Sequence, residues 1–530
     1  MTSRGRHLRE APRRIEVFWY SAGLVLFVLC SALAGLSAEF VHGEGHEERP
    51  IAAVVALLIA AGGVYLVCGL VAFRRPPSLG IVLVVALACR AVLIGSTPIQ
   101  EDDIYRYLWD GKVVAEGVDP YLFRPESILK LDLDARPSDL DARLAELARL
   151  RDRTPSNRII LERVNHPDLA SIYPPFTQWV FGAAAWTISD EWTVSRQVAA
   201  LKTVLLVFDL GVLAVVVALL RRLGVPAGRA VLYAWCPLTF KEFANSGHMD
   251  AVPIFFVSLS LLAALAAGAD PPQRPGRQRG RVWSVLSGAS LGIAVASKGF
   301  AVLLVPLVAR RLGWRRGGLA TAAFVGIIAL LQLPYREGAA ERTETLIHFS
   351  LSWENNAAAF LWLEKLARVV TGAARWEFPF HGATRSVEAS HLVALLTAGT
   401  LVTLITLVVS WKTTPGEDGR LFLRRGIVVL AALLLLGPLG FPWYFVWLVP
   451  LFPFTRHVSW FLLPALLSLY YLRFWFSYRF EAAGFESAEN AESFFDHVVV
   501  TLEFAIFFAA FLGESVARRI FDTSSGTPRR

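Results

Sequence analysis

The segment LGIVLVVALACRAVLIGSTPIQEDDIYRYLWDG, residues 79–111, joins an apolar run to a dense group of acidic and aromatic residues. The apolar run contains one charged residue, Arg90, and it ends shortly before Glu101, Asp102 and Asp103. Charged side chains are costly close to hydrocarbon, so a cluster of them at the end of a membrane helix marks a candidate functional site. The segment therefore predicts a membrane helix that carries carboxylates to the membrane surface.

Apolar runs separated by arginine-rich or Pro/Gly-rich breaks continue along the whole chain. The 530 residues are 55% hydrophobic and only 18% charged, which is too apolar for a soluble enzyme. The formal charge of +8 does not indicate a nucleic-acid partner, because the arginines cluster between apolar runs. The four cysteines lie inside apolar runs, and no Cys/His metal spacing occurs. We predict an all-α polytopic membrane protein with about 12–14 transmembrane helices.

The distribution of arginines predicts the orientation. Several arginines precede the first apolar run, residues 17–36, which is long for a signal peptide and lacks a cleavage site. With a cytoplasmic N-terminus, the positive-inside rule places the acidic cluster outside an inner (plasma) membrane and both termini inside. The predicted parts are a cytoplasmic N-terminus (1–15), three transmembrane helices (16–95), an extracytoplasmic loop with the acidic motif and a re-entrant helix (96–196), a transmembrane bundle (197–334), a second extracytoplasmic loop (335–390), C-terminal transmembrane helices (391–517) and a cytoplasmic tail (518–530).

Some segments do not fit a simple alternation of spans. Residues 176–188 are apolar but shorter than the ~20 residues that a span needs, so we interpret them as re-entrant or interfacial rather than spanning. Residues 300–309 and 443–454 are also short, which indicates broken or tilted helices. Residues 132–153 have the spacing of an amphipathic helix, either on the outer membrane surface or solvated in the loop.

The acidic motif offers several chemistries. A carboxylate at the membrane surface can act as a general base, a metal ligand or part of a cation pathway. A helix would align Asp103, Arg106 and Asp110 on one face and leave Arg106 free for an anionic group. The alternative is a salt-bridge cluster at a helix start with Asp103 as the N-cap. The adjacent Asp102 and Asp103 could also hold a divalent cation, although the sequence shows no complete ligand set.

Other polar and aromatic groups fall in the predicted outer breaks. Each has a plain alternative: an interface anchor, a polar turn, a snorkelling lysine or an aromatic belt. A lysine near the membrane surface would suit a lipid phosphate, and the aromatic and amide groups would suit sugar stacking and hydroxyl recognition. These groups are Asn165-His166-Pro167 with Tyr173, His248 with Asp250, Lys298, Trp353-Glu354-Asn355-Asn356, and Trp443 with Tyr444.

The order of these motifs resembles that of the polytopic glycosyltransferases of the GT-C superfamily, most closely the bacterial family 87 or mannosyltransferase-like group. The resemblance spans most of the chain, and its most specific part is the Asp-Asp-Ile-Tyr-Arg-Tyr block. The landmarks are residues 101–111, Asp119-Pro120-Tyr121, Asn165-His166-Pro167, Ile172-Tyr173-Pro174-Pro175, residues 233–238, Gly247-His248-Met249-Asp250, Lys298 and Pro442-Trp443-Tyr444.

The resemblance implies transfer of a mannose or other hexose from a polyprenyl-phosphate donor to a lipid or glycan acceptor of the cell envelope, outside the membrane and with inversion. It implies that Asp103 is the base, with Asp102 as the second candidate, and that Lys298 and Arg106 neutralise the leaving phosphate. The remaining substrate-binding residues would be Tyr105, Asp110, His166, Tyr173, His248, Asp250, Trp443 and Tyr444.

Physical reasoning points the same way, because a lipid-linked donor requires a base at headgroup level, a cation near its phosphate and an apolar groove. A nucleotide-sugar enzyme would need a cytoplasmic domain, and the cytoplasmic breaks are too short for one. The competing hypothesis is a transporter or flippase of a lipid-linked substrate, whose charges would lie near the bilayer midplane. A lipopolysaccharide ligase or polymerase would depend on outer arginines and histidine rather than on a carboxylate.

Overall fold

The apolar runs of the sequence fold into helices in the computed structural model, which describes residues 4–43, 45–132, 141–268, 277–380, 383–455 and 457–524. The α-helices are α1 (Arg4–Leu36), α2 (Ile51–Ala72), α3 (Leu79–Ile94), α4 (Asp103–Ala115), α5 (Pro125–Lys130), α6 (Ala142–Asp152), α7 (Pro155–Glu162), α8 (Pro175–Ala185), α9 (Val194–Arg222), α10 (Val231–Ala234), α11 (Pro237–Thr239), α12 (Ala251–Ala267), α13 (Arg277–Val295), α14 (Val305–Leu312), α15 (Trp314–Gln332), α16 (Ala339–Ser352), α17 (Ala358–Thr371), α18 (Ala389–Trp411), α19 (Gly419–Leu436), α20 (Pro442–Phe445), α21 (Leu463–Leu466), α22 (Leu472–Tyr478), α23 (Ala488–Phe494) and α24 (Val500–Ser524).

Several connections are tighter or wider than α-helical. The 3-10 segments are Ser37–Glu39, His46–Glu48, Ala227–Ala230, Gly299–Leu304, Leu333–Tyr335, Val446–Phe454, Val458–Leu462 and Leu467–Tyr471, and the π-helical segments are Phe240–Asn245 and Phe495–Val499. The short runs at 300–309 and 443–454 are therefore broken helices, as predicted. Pro450 and Pro453 lie inside the second of them and prevent regular α-helical hydrogen bonding there.

Seven helices in the described part of the chain are long and apolar enough to cross a membrane. This confirms an all-α polytopic membrane protein, while the predicted number of 12–14 spans and the predicted orientation stay predictions. The seven are Arg14–Glu39, His46–Ala72, Val194–Arg222, Trp314–Tyr335, Ala389–Trp411, Val458–Tyr478 and Ala488–Arg519, and shorter apolar helices cover Leu79–Ile94, Ala251–Ala267 and Pro442–Phe454.

Arg90 is a structural residue of the bundle. It is fully buried on α3, and its Nε donates to Asp209 Oδ2 of α9 at 2.5 Å. Its Nη1 donates to the carbonyl of Ala234 at 2.9 Å, and Tyr233 Oη donates to Asp209 Oδ1 at 2.6 Å. A buried charge is tolerated only when it is paired and hydrogen-bonded, so these contacts join α3, α9 and α10 in one arrangement.

The first predicted outer loop folds into a small helical layer, α4 to α8, which shares a hydrophobic core with the beginnings of α9 and α12. Helix α8 has 11 residues, about 16 Å at 1.5 Å per residue, and is too short to cross the membrane. Helix α6 lies within the predicted amphipathic segment, of which residues 133–140 are outside the described ranges. Its apolar residues Leu147 and Leu150 are buried in the shared core, so they do not face lipid.

The second predicted outer loop contains structure that the sequence did not suggest. Between α17 and α18 an antiparallel hairpin pairs β1 (Arg375–Phe380) with β2 (Ala383–Glu388), in a register running from Arg375 opposite Glu388 to Phe380 opposite Ala383. The predicted cytoplasmic N-terminus (1–15) and cytoplasmic tail (518–530) lie partly outside the described residues.

Helices α4 and α8 approach closely at Gly111. A Cβ at this position would lie 2.5 Å from the carbonyl oxygen of Phe181, and a backbone atom cannot rotate away. By contrast, a Cβ at Gly63, in the middle of α2, would meet nothing within 4 Å. The pair therefore gives a matched test of this contact.

We expect Gly111→Ala to lower the free energy of unfolding by about 1–3 kcal/mol because it forces the two helices apart. Gly63→Ala should be neutral or stabilising by up to about 1 kcal/mol, since it only reduces chain entropy. Thermal unfolding midpoints in detergent measure both. Equal midpoints for the two variants would contradict the close packing of α4 on α8.

Candidate active site

A cavity of about 490 Å³, here called the acidic cavity, opens where α4, α8 and the loops after α13 and α19 meet. Most of the predicted site residues line it. Those that do are Asp102, Asp103, Arg106, His166, Tyr173, Asp250, Lys298, Trp443 and Tyr444. Tyr105, Asp110 and His248 do not line it.

The two aspartates of the motif are held by one amide group. Asn165 Nδ2 donates to Asp102 Oδ1 at 2.9 Å and to Asp103 Oδ1 at 2.7 Å. Asp103 is the first residue of α4, where the helix N-terminus stabilises negative charge. The expected N-cap role is wrong for Asp103: Asp102 occupies the N-cap position, and it makes no side-chain capping bond.

The acidic residues of the motif have different electrostatic surroundings. Burial and the neighbouring Asp103 raise the pKa of Asp102 to about 6, while the Asn165 hydrogen bond opposes that rise. Burial also raises the pKa of Glu101 well above its usual range, and Glu101 Oε1 has no hydrogen-bond partner. Burial therefore favours the protonated form of Glu101, whereas Asp102 changes charge close to physiological pH.

Asp103 is bounded by an aromatic and an imidazole group. Tyr107 Oη donates to Asp103 Oδ2 at 3.3 Å, and His248 Nδ1 lies 3.8 Å from the same oxygen. His248 stacks on Trp443 at 4.2 Å between ring centroids, and its Nε2 lies 3.4 Å from Glu242 Oε2. Burial and the nearby lysines lower the pKa of His248 well below its usual range, so the imidazole is neutral.

Lys298 is paired rather than free. Its Nζ donates to both carboxylate oxygens of Asp250, at 2.8 and 2.9 Å, and lies 3.8 Å from the centroid of the Tyr444 ring. Trp447 Nε1 donates to Asp250 Oδ1 at 2.8 Å and fixes that carboxylate. An ammonium group has three N–H donors, so one remains for a ligand. Lys298 therefore offers one N–H in a fixed direction, and Asp250 largely balances the positive charge of the ammonium group.

The expectation that Arg106 is free for an anion is wrong. The Arg106 side chain is buried, and it donates to the carbonyls of Asn165 (2.7 Å), His166 (2.8 Å) and Leu169 (3.1 Å). His166 has a φ of 45°, a left-handed conformation that a side-chain-bearing residue rarely adopts. Arg106 therefore stabilises the turn that positions Asn165.

Tyr105 and Asp110 also serve the framework rather than the cavity. Tyr105 Oη accepts a hydrogen bond from Arg163 Nη1 at 3.1 Å. Asp110 is buried and accepts bonds from Ser171 Oγ at 2.5 Å and Gln178 Nε2 at 3.0 Å. Direct substrate binding by these two residues stays a prediction, and in the structure their polar atoms bond to neighbouring loops.

The two aspartates fit a divalent cation poorly. The Asn165 amide donates hydrogen bonds to the carboxylate oxygens that a cation would need. Among the described residues, no group of three or more potential metal ligands includes Asp102 or Asp103. One group does bring ligand atoms within 4.8 Å of one another: Glu354, Glu364 and His391. Burial and Glu364 raise the pKa of Glu354 to about 8, so a proton shared between the two carboxylates accounts for their proximity.

Comparison with known protein families bears on the site. Residues 167–313 match the family model described as Alpha-(1->6)-mannopyranosyltransferase, N-terminal domain. The match confirms the resemblance to mannosyltransferase-like GT-C proteins, and with the apolar helices it supports a multi-pass membrane mannosyltransferase. The matched segment contains His248, Asp250 and Lys298 but begins after the acidic motif. Among curated proteins, none matches the chain.

Sequence reasoning missed three residues that shape the acidic cavity and its surroundings. Asn165 was noticed only as part of an Asn-His-Pro motif, and its role depends on the turn that Arg106 holds. Glu242 is fully buried, accepts a bond from Tyr471 Oη at 2.7 Å and backs His248. Trp447 looked like one member of an aromatic belt. For Glu242, the available signal in the sequence was the charged pair Lys241-Glu242 inside an apolar run.

The turn held by Arg106 can be tested without substrate. We expect Arg106→Gln to lower the free energy of unfolding by about 2–4 kcal/mol, since charge-assisted bonds from a buried guanidinium to three carbonyls are lost. Arg158→Gln, which breaks an exposed pair with Asp152, should cost less than about 1 kcal/mol. An unchanged midpoint for Arg106→Gln, together with a raised KM for the donor, would restore the phosphate-binding role.

Proposed function

We propose that this membrane mannosyltransferase uses a polyprenyl-phosphate-linked sugar and acts on the extracytoplasmic face. The proposal rests on one cavity, which is lined by two aspartates that Asn165 holds together and by Lys298, whose ammonium group has one N–H left for a ligand. Apolar residues of the same cavity, Phe300, Phe349 and Phe441, offer a surface for the isoprenoid next to the phosphate. The outer location rests on the arginine distribution.

In the proposed reaction Asp103 accepts the proton of the acceptor hydroxyl. The oxygen then attacks the anomeric carbon, and the bond from that carbon to the phosphate oxygen breaks on the opposite face, which inverts the configuration. Lys298 donates its remaining N–H to the departing phosphate, whose charge grows as the bond breaks. Asn165 and Tyr107 hold the Asp103 carboxylate in place, so that little reorganisation is needed.

The transporter hypothesis loses support in the structure. It requires charges near the bilayer midplane, and in the sequence only Arg90 and Lys298 approach the apolar interior. Arg90 instead is fully buried against Asp209 and the carbonyl of Ala234.

The base assignment predicts a large loss of transfer in one variant. We expect Asp103→Asn to reduce mannose transfer from polyprenyl-phosphate-mannose in proteoliposomes by about 10²–10⁴-fold, the usual contribution of a general base. Asp168→Asn is the matched control, because Asp168 is exposed on the neighbouring loop and does not line the cavity. Full activity of Asp103→Asn would show that Asp103 is not the base.

The pH dependence distinguishes the two aspartates. Since the pKa of Asp102 is raised to about 6, its carboxylate is ionised at about pH 7 and mostly protonated at about pH 5. Protonation of Asp102 weakens its acceptance of the Asn165 hydrogen bond that holds the two carboxylates in place, so kcat/KM should fall on acidification. We expect Asp102→Asn to retain transfer within about tenfold and to lose that acidic fall. Abolished transfer in Asp102→Asn with activity in Asp103→Asn would assign the base to Asp102.

The role of Lys298 can be separated from its role in folding. Removing Lys298 alone would leave the buried Asp250 carboxylate unpaired, which is destabilising by about 3–5 kcal/mol. The double substitution Lys298→Met with Asp250→Asn removes both charges, and the amide oxygen of the new side chain can still accept from Trp447. We expect this variant to keep its unfolding midpoint within a few degrees and to lose donor use by more than about tenfold. Normal donor use would remove Lys298 from the site.

A further inference from the structure

A second cavity, here called the arginine cavity, has a volume of about 590 Å³ and is lined by a concentration of guanidinium groups. No carboxylate lines it among the residues that the structure describes. Its residues are Leu70, Phe73, Arg74, Val225, Arg229, Arg420, Arg424, Pro453, Phe454, Thr455, Val458 and Arg518.

The arginine cavity lies at the opposite end of the bundle from the acidic cavity. Helix α19 begins beside Arg420 and ends a few residues before Phe441, which lines the acidic cavity. Helix α2 likewise starts next to Arg49, which donates to Gln100 beside the acidic motif, and ends at the arginine cavity. With the acidic cavity outside, the arginine cavity would face the cytoplasm.

Three of the arginines are held in place by carbonyls at the ends of helical segments. Arg229 Nη2 donates to Phe73 O at 2.8 Å, Arg420 Nη2 to Leu223 O at 3.0 Å, and Arg424 Nε to Phe454 O at 2.8 Å. Each carbonyl follows or ends a helical segment, where backbone acceptors are otherwise unsatisfied. These bonds orient the guanidinium groups, but they do not neutralise them.

The cations Arg229 and Arg420 repel each other at the cavity. Arg518 pairs with Glu514 at 2.6 Å. Burial and the charge of Arg420 lower the pKa of Arg229, which shows that the two cations are crowded, and Arg229 Nε is buried without a hydrogen-bond partner. A bound anion would relieve that repulsion, and planar guanidinium groups match the oxygens of a phosphate.

The walls of the cavity indicate an amphipathic ligand. Leu70, Phe73 and Val458 line it beside the arginines, and Leu70 is 47% exposed on α2, a candidate membrane span. A small soluble anion would not use this apolar side. A lipid would place its phosphate among the arginines and its chains along α2.

We propose that the arginine cavity binds the phosphate headgroup of an anionic membrane lipid. The proposal does not depend on the sugar-transfer chemistry of the acidic cavity, because the two cavities share no residue. Inorganic phosphate has the same headgroup chemistry, so the test must separate a lipid from a free anion. The simplest competing explanation is that these arginines only set the membrane orientation and bind nothing specific.

The test is native mass spectrometry of the purified full-length chain with phosphatidylglycerol or phosphatidylcholine of identical acyl chains. We expect phosphatidylglycerol adducts to exceed phosphatidylcholine adducts by about tenfold, as two charge-assisted contacts would give. The double variant Arg229→Gln/Arg420→Gln should lose this preference. Arg222→Gln/Arg310→Gln is the matched control: both arginines donate to helix-end carbonyls, of Leu265 and Trp411, but neither lines the cavity.

Other outcomes overturn the proposal. Equal adducts of the two lipids, or an equal loss in the control double variant, would show that the arginines make no specific site. Displacement of phosphatidylglycerol by inorganic phosphate, with the same thermal stabilisation, would identify a free anion as the ligand. If the cavity variant does not fold, Arg74→Gln replaces it, because Arg74 is exposed and lines the cavity; an unchanged lipid preference in this variant would count against the site.

Discussion

The buried ion pair between Arg90 and Asp209 is the interaction on which the placement of the site depends. It lies inside the bundle with both side chains almost fully excluded from solvent, and removing one partner of such a pair typically costs about 3–5 kcal/mol. The pair fixes α3 against α9, and the carbonyl of Ala234 adds α10 to the same contact. The acidic motif leaves the end of α3 directly, so its height above the bundle is set by this pair. A hydrophobic contact could not impose that register, because apolar side chains slide at little cost, whereas a charge without its partner cannot be accommodated in an apolar interior.

Much of this organisation could be predicted from the sequence, and the failures share a physical cause. Helical segments follow from apolar runs bounded by arginine, proline or a capping serine such as Ser78, so α2 and α3 match the predicted bounds closely. The cavity residues were found because chemistry-bearing groups are rare in an apolar chain.

The predictions that failed concerned the hydrogen-bond partners of these residues. Arg106 looked available because its helical neighbours are acidic, yet its guanidinium bonds to the turn around His166, far along the chain. Helical spacing predicts which side chains share a face, but it says nothing of the loop that packs on that face. The hairpin β1–β2 was missed for a similar reason, since it packs on neighbouring loops rather than in lipid.

Asp102 and Asp103 are adjacent in the sequence, but their side chains have different surroundings. Asp103 faces Tyr107 and His248 at the start of a helix, whereas Asp102 occupies the N-cap without the capping bond that usually stabilises such a residue. The shared amide of Asn165 prevents either carboxylate from rotating away. Burial and the neighbouring Asp103 raise the pKa of Asp102 to about 6, so a charge beside the proposed base changes near neutral pH. The neutral His248 behind Asp103 adds no counter-charge that would weaken the base.

An acidic cavity is at first sight a poor place to bind a lipid phosphate, and the charge balance of its residues resolves the difficulty. Burial favours the protonated form of Glu101, and Asp250 is balanced by Lys298. The remaining negative charge belongs to the two aspartates, with the buried guanidinium of Arg106 behind them. An incoming phosphate would therefore meet one directed N–H of a paired lysine rather than an unpaired cation. That arrangement suits a donor that must both bind and leave as a phosphate, because a fully exposed cation would hold the product too tightly. The arginine cavity at the other end of the bundle has the opposite character: Arg229 and Arg420 repel each other there, which fits an anionic lipid that stays bound rather than one that turns over.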